Sequence, residues 1–276
     1  MTHSVDSSPL GQKTNYVSVY DASLLFPIPR SESRKALRLE DNLPFYGVDV
    51  WTGYELSWLN TKGKPEVAVA EFLIPFDSPF IIESKSFKLY LNSLNQTKFS
   101  SWSNVEELLT KDLSLVANAD ITARLYKLSD DNTLPIDSIV DVSCIDDLDV
   151  SVEYYHPEPD LLVVDRDIIV NESLCSHLLK SNCPVTGQPD WASLFIEYSG
   201  AKINHDALLR YVISFREHQD FHEHCVERIF VDILERCEPT NLSVYARYTR
   251  RGGLDINPFR STDKNAVPKI GRLLRQ

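Results

Sequence analysis

Two stretches of the chain repeat one order of hydrophobic and polar positions. In the first, YELSWLN (54–60) and EVAVAEFLIP (66–75) alternate or run apolar as strands do, on either side of the turn sequence TKGKP. KSFKLYLNSLNQ then sets Phe87, Leu91 and Leu94 at helical spacing. A second helix is expected over NVEELLTKDLSLVANA, with Asn104 as its N-cap and acidic residues in its first turn. ITARLYKL (121–128) returns to strand alternation, and IVDVSCI (139–145) offers a further strand.

The order recurs beyond the acidic, proline-punctuated stretch CIDDLDVSVEYYHPEPD. LLVVDRDIIV reads as a strand or hairpin, and WASLFIEYSG (191–200) as a strand. In NHDALLRYVISFREH, Leu208, Val212 and Phe215 share one helical face. HEHCVERIFVDILERC carries a wide apolar stripe of Val226, Ile229, Phe230, Ile233 and Leu234. NLSVYARYTR (241–250) alternates again. Each half is therefore β-β-α-α-β, with room for a last strand, and no sequence identity between the halves is evident by eye. The pattern predicts an α+β fold: an antiparallel sheet with two helices on one face in each of two modules, 1–145 and 146–276.

Composition narrows the function classes. The chain has 276 residues, of which 43% are hydrophobic and 25% charged, the balance of a folded globular protein. Its net charge of −12 argues against broad affinity for nucleic acid, which rests on cations that displace phosphate counterions. Arg247 to Gln276 runs the other way, with eight Lys or Arg against two Asp. That tail is either a solvated terminus or a site for a phosphate-bearing small molecule. The polar opening MTHSVDSSPLGQKTN lacks the apolar core of a signal peptide, and no apolar run is long enough to span a bilayer. A cytoplasmic protein with no membrane partner is expected.

Three stretches hold candidate chemistry. The five cysteines include no C-x-x-C pair, so neither a disulfide framework nor a zinc ribbon is signalled, and reduced thiols are expected. Cys183 lies in NCPVTGQPDW, whose flanks are loop chemistry. It is either a small buried hydrophobe or a thiolate with Asp190 as its proton partner. FHEHC (221–225) opens a helix. His222 and His224, two apart, point to different faces and suit a metal poorly. His222 and Glu223 are left either as ligand-binding groups or as an acidic helix start with exposed histidines. In IIESKSFKLYLNS (81–93), Glu83 precedes a helix whose first turn carries Ser84, Lys85, Ser86 and Lys88; either its lysines simply face water, or Ser84 and Lys85 meet a phosphate with Glu83 in a pocket. The nine glycines form neither a dinucleotide fingerprint nor a P-loop.

Together these stretches resemble the long, two-module form of the NADPH-dependent nitrile reductases that act on 7-cyano-7-deazaguanine in queuosine biosynthesis. ESKSFKLY (83–90) matches that family's signature at every position, CPVTGQPD (183–190) its nucleophile segment, and His222-Glu223 its substrate-binding pair. The resemblance implies tandem tunnel-fold modules, a homodimer with the pocket between modules, and NADPH as cosubstrate without a metal. It implies Cys183 as nucleophile and Asp190 as proton donor. It puts Ile82, Glu83, Ser84, His222 and Glu223 at the substrate, and Ser84, Lys85, Arg251 and Gly252 at NADPH. Two rivals are a cysteine-dependent nitrile or amide hydrolase, which would use the same thiol with water in place of hydride, and a non-catalytic purine-binding module.

Overall fold

The computed structural model describes residues 16–39, 42–129 and 141–276. The chain forms two compact units that exchange short segments. The first comprises Met1–Lys35, Asp49–Pro135 and Arg250–Asp255; the second comprises Ala36–Val48, Ile136–Thr249 and Ile256–Gln276.

The first unit holds β1 (Pro27–Pro29), α1 (Ser31–Ala36), most of β2 (Tyr46–Leu59), β3 (Pro65–Pro75), β4 (Phe80–Ile82), α2 (Ser84–Ser93), α3 (Trp102–Ala117) and β5 (Thr122–Tyr126). β1 and β4 pair antiparallel, and the main strands run in the order β5-β3-β2. The alternation seen in EVAVAEFLIP buries Ala68, Ala70, Phe72 and Ile74. Phe87 of α2 packs at 4.9 Å from Phe72 and 5.5 Å from Trp51, ring centre to ring centre. α3 begins earlier than expected. Ser101, not Asn104, is its cap, and its hydroxyl accepts the Asn104 N–H at 3.1 Å. Asn104 lies inside the first turn, with its side chain bonded to Ser100.

The second unit holds β6 (Ser143–Cys144), β7 (Val164–Asn182), β8 (Pro189–Ile203), α4 (His205–Ser214), α5 (His222–Cys237), β9 (Asn241–Tyr248) and most of β10 (Leu254–Ser261). Its strands run β10-β9-β8-β7-β6, antiparallel except for the parallel pair β6-β7. Of the strand expected over 139–145, residues 139 and 140 lie outside the described set and only Ser143–Cys144 pairs. β7 continues far past LLVVDRDIIV, bending at irregularities between Asp165 and Ile169 and between Ser176 and Leu179. α5 covers the expected segment from end to end.

The helices of the two units repeat in length and in polar detail. α2 and α4 each have ten residues, and α3 and α5 each have sixteen. The Tyr90 hydroxyl donates to Asp112 at 2.8 Å, and the Tyr211 hydroxyl to Asp232 at 2.7 Å. Ser93 and Ser214 each donate back to the carbonyl of the tyrosine three residues earlier. α3 and α5 both end on a left-handed residue, Asn118 and Glu238. The similarity that the sequence hides is carried by buried polar locks rather than by apolar identity.

Candidate active site

The second unit builds its cluster at the closed end of the β7-β8 hairpin. Asn182 pairs with Pro189 and Ser181 with Asp190, so the turn between them is CPVTGQ. Cys183 N donates to the Gln188 carbonyl at 2.9 Å, and Gly187 N to the Cys183 carbonyl at 3.0 Å. Gly187 has φ +65°, and an added Cβ would meet nothing within 4 Å. Glycine is needed there for its backbone conformation and not for space.

The hairpin end is pinned to the segment that leads into α5. Asn182 N donates to the His218 carbonyl at 2.8 Å, and Asp220 N donates to the Asn182 carbonyl at 3.2 Å. The Asn182 amide reaches the carbonyls of Arg216 and His218, each at 3.3 Å, while Lys180 Nζ donates to Asn182 Oδ1 at 2.7 Å. These bonds bring the first turn of α5 to the hairpin. His222 Nε2 stands 3.4 Å from Asp190 Oδ2. The ring of His222 lies flat on Tyr248, with centroids 3.7 Å apart and planes 4° apart, and its Nδ1 faces the Ile256 carbonyl at 3.3 Å. Cys183, Asp190 and Glu223 are 3%, 5% and 1% exposed.

His224 is also buried, with Nδ1 3.2 Å from Asp220 Oδ1 and its ring edge-on to Phe221. The reading of this helix start as exposed histidines is therefore wrong: Asp220 and Phe221 cover one and Tyr248 covers the other. The two imidazoles engage different carboxylates, as their spacing on the helix requires. Cys225 is fully buried, and burial pushes its thiol up to about 12.

The first unit carries the other predicted residues. Glu83 is fully buried and caps α2, its carboxylate accepting the Lys85 N–H at 2.7 Å and the Ser86 N–H at 2.8 Å. A carboxylate has about four acceptor sites, so capping leaves capacity for a ligand. Burial raises the Glu83 pKa, opposed by those two backbone donors and by the charges of Lys88 and Lys85. Ile82 is buried in β4 opposite Pro27, and Ser84 and Lys85 open α2.

Gly252 and Gly253 follow Arg251 in a tight turn with φ +61° and +71°. A Cβ on Gly253 would fall 2.3 Å from Glu55 Cδ, and one on Gly252 would fall 3.3 Å from Lys88 Cδ. This turn walls a cavity of about 550 Å³ together with Glu55, Ser57, Lys88 and Asn92. Of the four residues expected at a cofactor, Gly252 lines the cavity, while Ser84, Lys85 and Arg251 do not. Lys88 supplies its cation.

The basic tail is mostly spent internally. Arg247 bonds Gln276 and the Tyr245 hydroxyl, Arg260 bonds Glu227, Lys269 bonds Glu197, and Arg275 bonds the His177 carbonyl. Arg250 lies over the Tyr54 ring at 4.6 Å. The excess charge thus braces the second unit more than it forms a phosphate site.

Comparison with known proteins adds the decisive observation. A family profile described as nitrile reductase, 7-cyano-7-deazaguanine-reductase N-term, matches residues 16–125, and one described as QueF-like protein matches 189–267. The NADPH-dependent 7-cyano-7-deazaguanine reductase of Burkholderia multivorans is 54% identical over 98% of this chain and 99% of its own. Those of Hydrogenovibrio crunogenus and Chromohalobacter salexigens are 54% and 55% identical, over 100% and 99% of this chain and 99% and 98% of their own. The chain belongs to the NADPH-dependent 7-cyano-7-deazaguanine reductase family. Among solved structures, the archaeosine synthase QueF-Like in its apo form overlaps 36% of this chain and 96% of its own, at 19% identity and a TM-score of 0.30, a likeness too slight to bear on the fold.

Within this reductase family the two profile matches leave Cys183 between them and include Asp190, His222 and Glu223 in the second. Asn182, Tyr248 and Lys88 are the site residues that sequence reasoning missed. Asn182 had a signal in its place before Cys-Pro. Tyr248 is one more alternating aromatic of a strand, and nothing in the sequence aims its ring at His222. Among the described residues, no helix is long and apolar enough to cross a membrane.

Proposed function

We propose that the chain reduces the nitrile of 7-cyano-7-deazaguanine to the primary amine 7-aminomethyl-7-deazaguanine, consuming two NADPH, as a cytoplasmic enzyme of queuosine biosynthesis. The observation that carries this reading is near-full-length kinship to enzymes of that name in a chain whose Cys183 opens the hairpin turn and whose Asp190 follows it on β8. We read it as two tunnel-fold modules, 1–145 and 146–276, in a homodimer.

A nitrile carbon is a weak electrophile. The Cys183 thiolate adds to it, forming a C–S bond, while the nitrogen takes a proton from Asp190 to give a covalent thioimide. His222, 3.4 Å from Asp190, holds that carboxyl in place and is itself held by Tyr248. NADPH supplies two hydrides in succession. Between them the C–S bond breaks and returns the electron pair to Cys183, and the nitrogen gains one further proton, so that one nitrile, two hydrides and two protons make one amine. No metal enters these steps. Glu83 and Glu223 accept from the N–H groups of the pyrimidine edge, since ionised carboxylates only accept. Ile82, Ser84 and His222 complete the substrate contacts.

The lining of the cavity by Lys88 and Gly252 suits a phosphate, because a flexible cation faces a turn without side chains. Its volume falls in the range of small-molecule sites. Gly252 contacts NADPH there; Ser84 and Lys85, a turn before Lys88 on α2, and Arg251, beside Gly252, are its further cofactor residues although they do not line the cavity. The experiment is a count: purified protein, 7-cyano-7-deazaguanine and NADPH should oxidise two NADPH per amine formed. Product without NADPH loss would establish the hydrolase instead, and binding without turnover the purine-binding module.

A further inference from the structure

A second sulfur cluster lies in the second unit at the edge strand β6. Cys144 and Cys175 are direct partners in the parallel β6-β7 ladder, so their side chains leave the same face of the sheet. His177 falls within the β7 irregularity between Ser176 and Leu179. One ligand atom from each of Cys144, Cys175 and His177 lies within 4.8 Å of the others. The surrounding bonds hold the three in place. Asp146 accepts from Ser176 Oγ at 2.6 Å and from His177 N at 2.8 Å, and Ile145 N donates to the Cys175 carbonyl at 3.0 Å. His177 Nδ1 stands 2.8 Å from Ser193 Oγ on β8.

We propose that Cys144, Cys175 and His177 bind a thiophilic divalent cation of the zinc class, which fastens β6 to β7. Two sulfurs and an imidazole are a donor set that zinc takes and that magnesium or calcium does not. With zinc–sulfur bonds of about 2.3 Å, tetrahedral thiolates stand roughly 3.8 Å apart, within reach of side-chain rotation from the observed cluster. Both thiols are free, so both are available as ligands. The Ser193 hydroxyl on the imidazole is the kind of outer partner that orients a metal-binding histidine.

Cys144 is exposed and gives the ion a path from solvent, while Cys175 is 3% exposed. Binding displaces one proton from each thiol into water, uses an imidazole lone pair of His177, and leaves a fourth position for water. None of the proposed reduction steps passes through this site.

The test uses the full chain, reduced, stripped with a chelator and titrated anaerobically with cobalt(II). The expected result is one equivalent bound, with a thiolate-to-cobalt charge-transfer band and the strong visible bands of a tetrahedral site, displaced by zinc. Cys144→Ser, an exposed position, should abolish the two-thiolate spectrum while nitrile reduction is unchanged. Ser193→Ala should weaken binding about 10–100-fold. Cys183→Ala should retain the bands. Absence of tetrahedral cobalt bands in the intact chain, or bands that survive Cys144→Ser with Cys175→Ser, would overturn the proposal. So would loss of these two thiols to peroxide as a disulfide in a chain that takes up no cobalt.

Discussion

Asp190→Asn separates the proton transfer proposed for this carboxylate from its contact with His222. Asn has the same size, and its side-chain oxygen can still meet His222, which stands 3.4 Å from Asp190 Oδ2. What it cannot do is give up a proton to the nitrile nitrogen. A positioned general acid contributes about 10²–10⁴ in rate, or roughly 3–5 kcal/mol of barrier. The upper half of that range applies here, because Asp190 is 5% exposed and Cys183 3%, so bulk water is poorly placed to substitute as donor. We expect kcat to fall by about 10³ or more, with the dissociation constant for 7-cyano-7-deazaguanine changed less than about threefold. Single-turnover NADPH oxidation followed by absorbance gives the first quantity, and calorimetry without NADPH gives the second. Mass spectrometry of the Cys183 peptide should show thioimide forming slowly. A variant that turns over within threefold of the parent would remove Asp190 from the proton path. A variant that loses substrate affinity in step with rate would make it a binding group instead.

Cys183→Ala should bind substrate and show no turnover; residual reduction above about 1% would exclude the covalent route. Glu83→Ala or Glu223→Ala should weaken substrate binding by about 2–4 kcal/mol, read by calorimetry, and unchanged affinity would free that residue from the base edge. Glu83 also predicts a pH dependence. Burial raises its pKa in the folded state, so the folded chain holds this proton more tightly than the unfolded one. Stability contributed by that proton is present at low pH and lost as pH rises from the ordinary carboxylate range through the raised value. Glu83→Gln should flatten that limb of the denaturation profile, and an unaltered slope would refute the assignment. Glu227→Ala should cost about 3–5 kcal/mol in chemical denaturation, because it leaves the fully buried Arg260 guanidinium without the carboxylate now 2.8 Å from Nη2.

How much of this could be read from residues alone depended on whether a segment is held by its own pattern or by distant partners. α5 was legible from end to end because its apolar stripe faces the core and needs nothing else. The first seven residues of β7, 164–170, were legible as strand. Its continuation through Ser173–Asn182 was not, because Asp146 fastens Ser176 and His177, and the Arg216 carbonyl holds Lys180 and Asn182. Those bonds join residues some 30 positions apart and leave no periodic trace. The start of α3 was misread for a local reason. Both Ser101 and Asn104 are good caps, and only the backbone shows which hydroxyl or amide meets the free N–H. Motif matching named the residues at the hairpin and at both helix starts, but neither the stacking of Tyr248 on His222 nor the cap duty of Glu83 is part of a motif.

Burial bears on which chemistry the thiol can support. On the proposed covalent route, a hydrolase and a reductase share the first step, addition of sulfur to the nitrile, and part ways at what reaches the thioimide next. Hydrolysis needs an ordered water beside that carbon, and reduction needs water kept away until hydride arrives. Cys183 at 3%, Asp190 at 5%, Glu223 at 1% and His222 at 11% exposure are each shielded from solvent. The bonds of Asn182 to the His218 and Asp220 backbone press the hairpin onto the start of α5. Loosening that seam should therefore change the product before it changes the rate. In Asn182→Ala the thioimide is opened to solvent, and amide or acid should appear beside the amine, with fewer than two NADPH oxidised per nitrile consumed. Chromatography of the products against NADPH consumed decides it. A slower enzyme that still oxidises two NADPH for every nitrile would show that water exclusion does not depend on this seam.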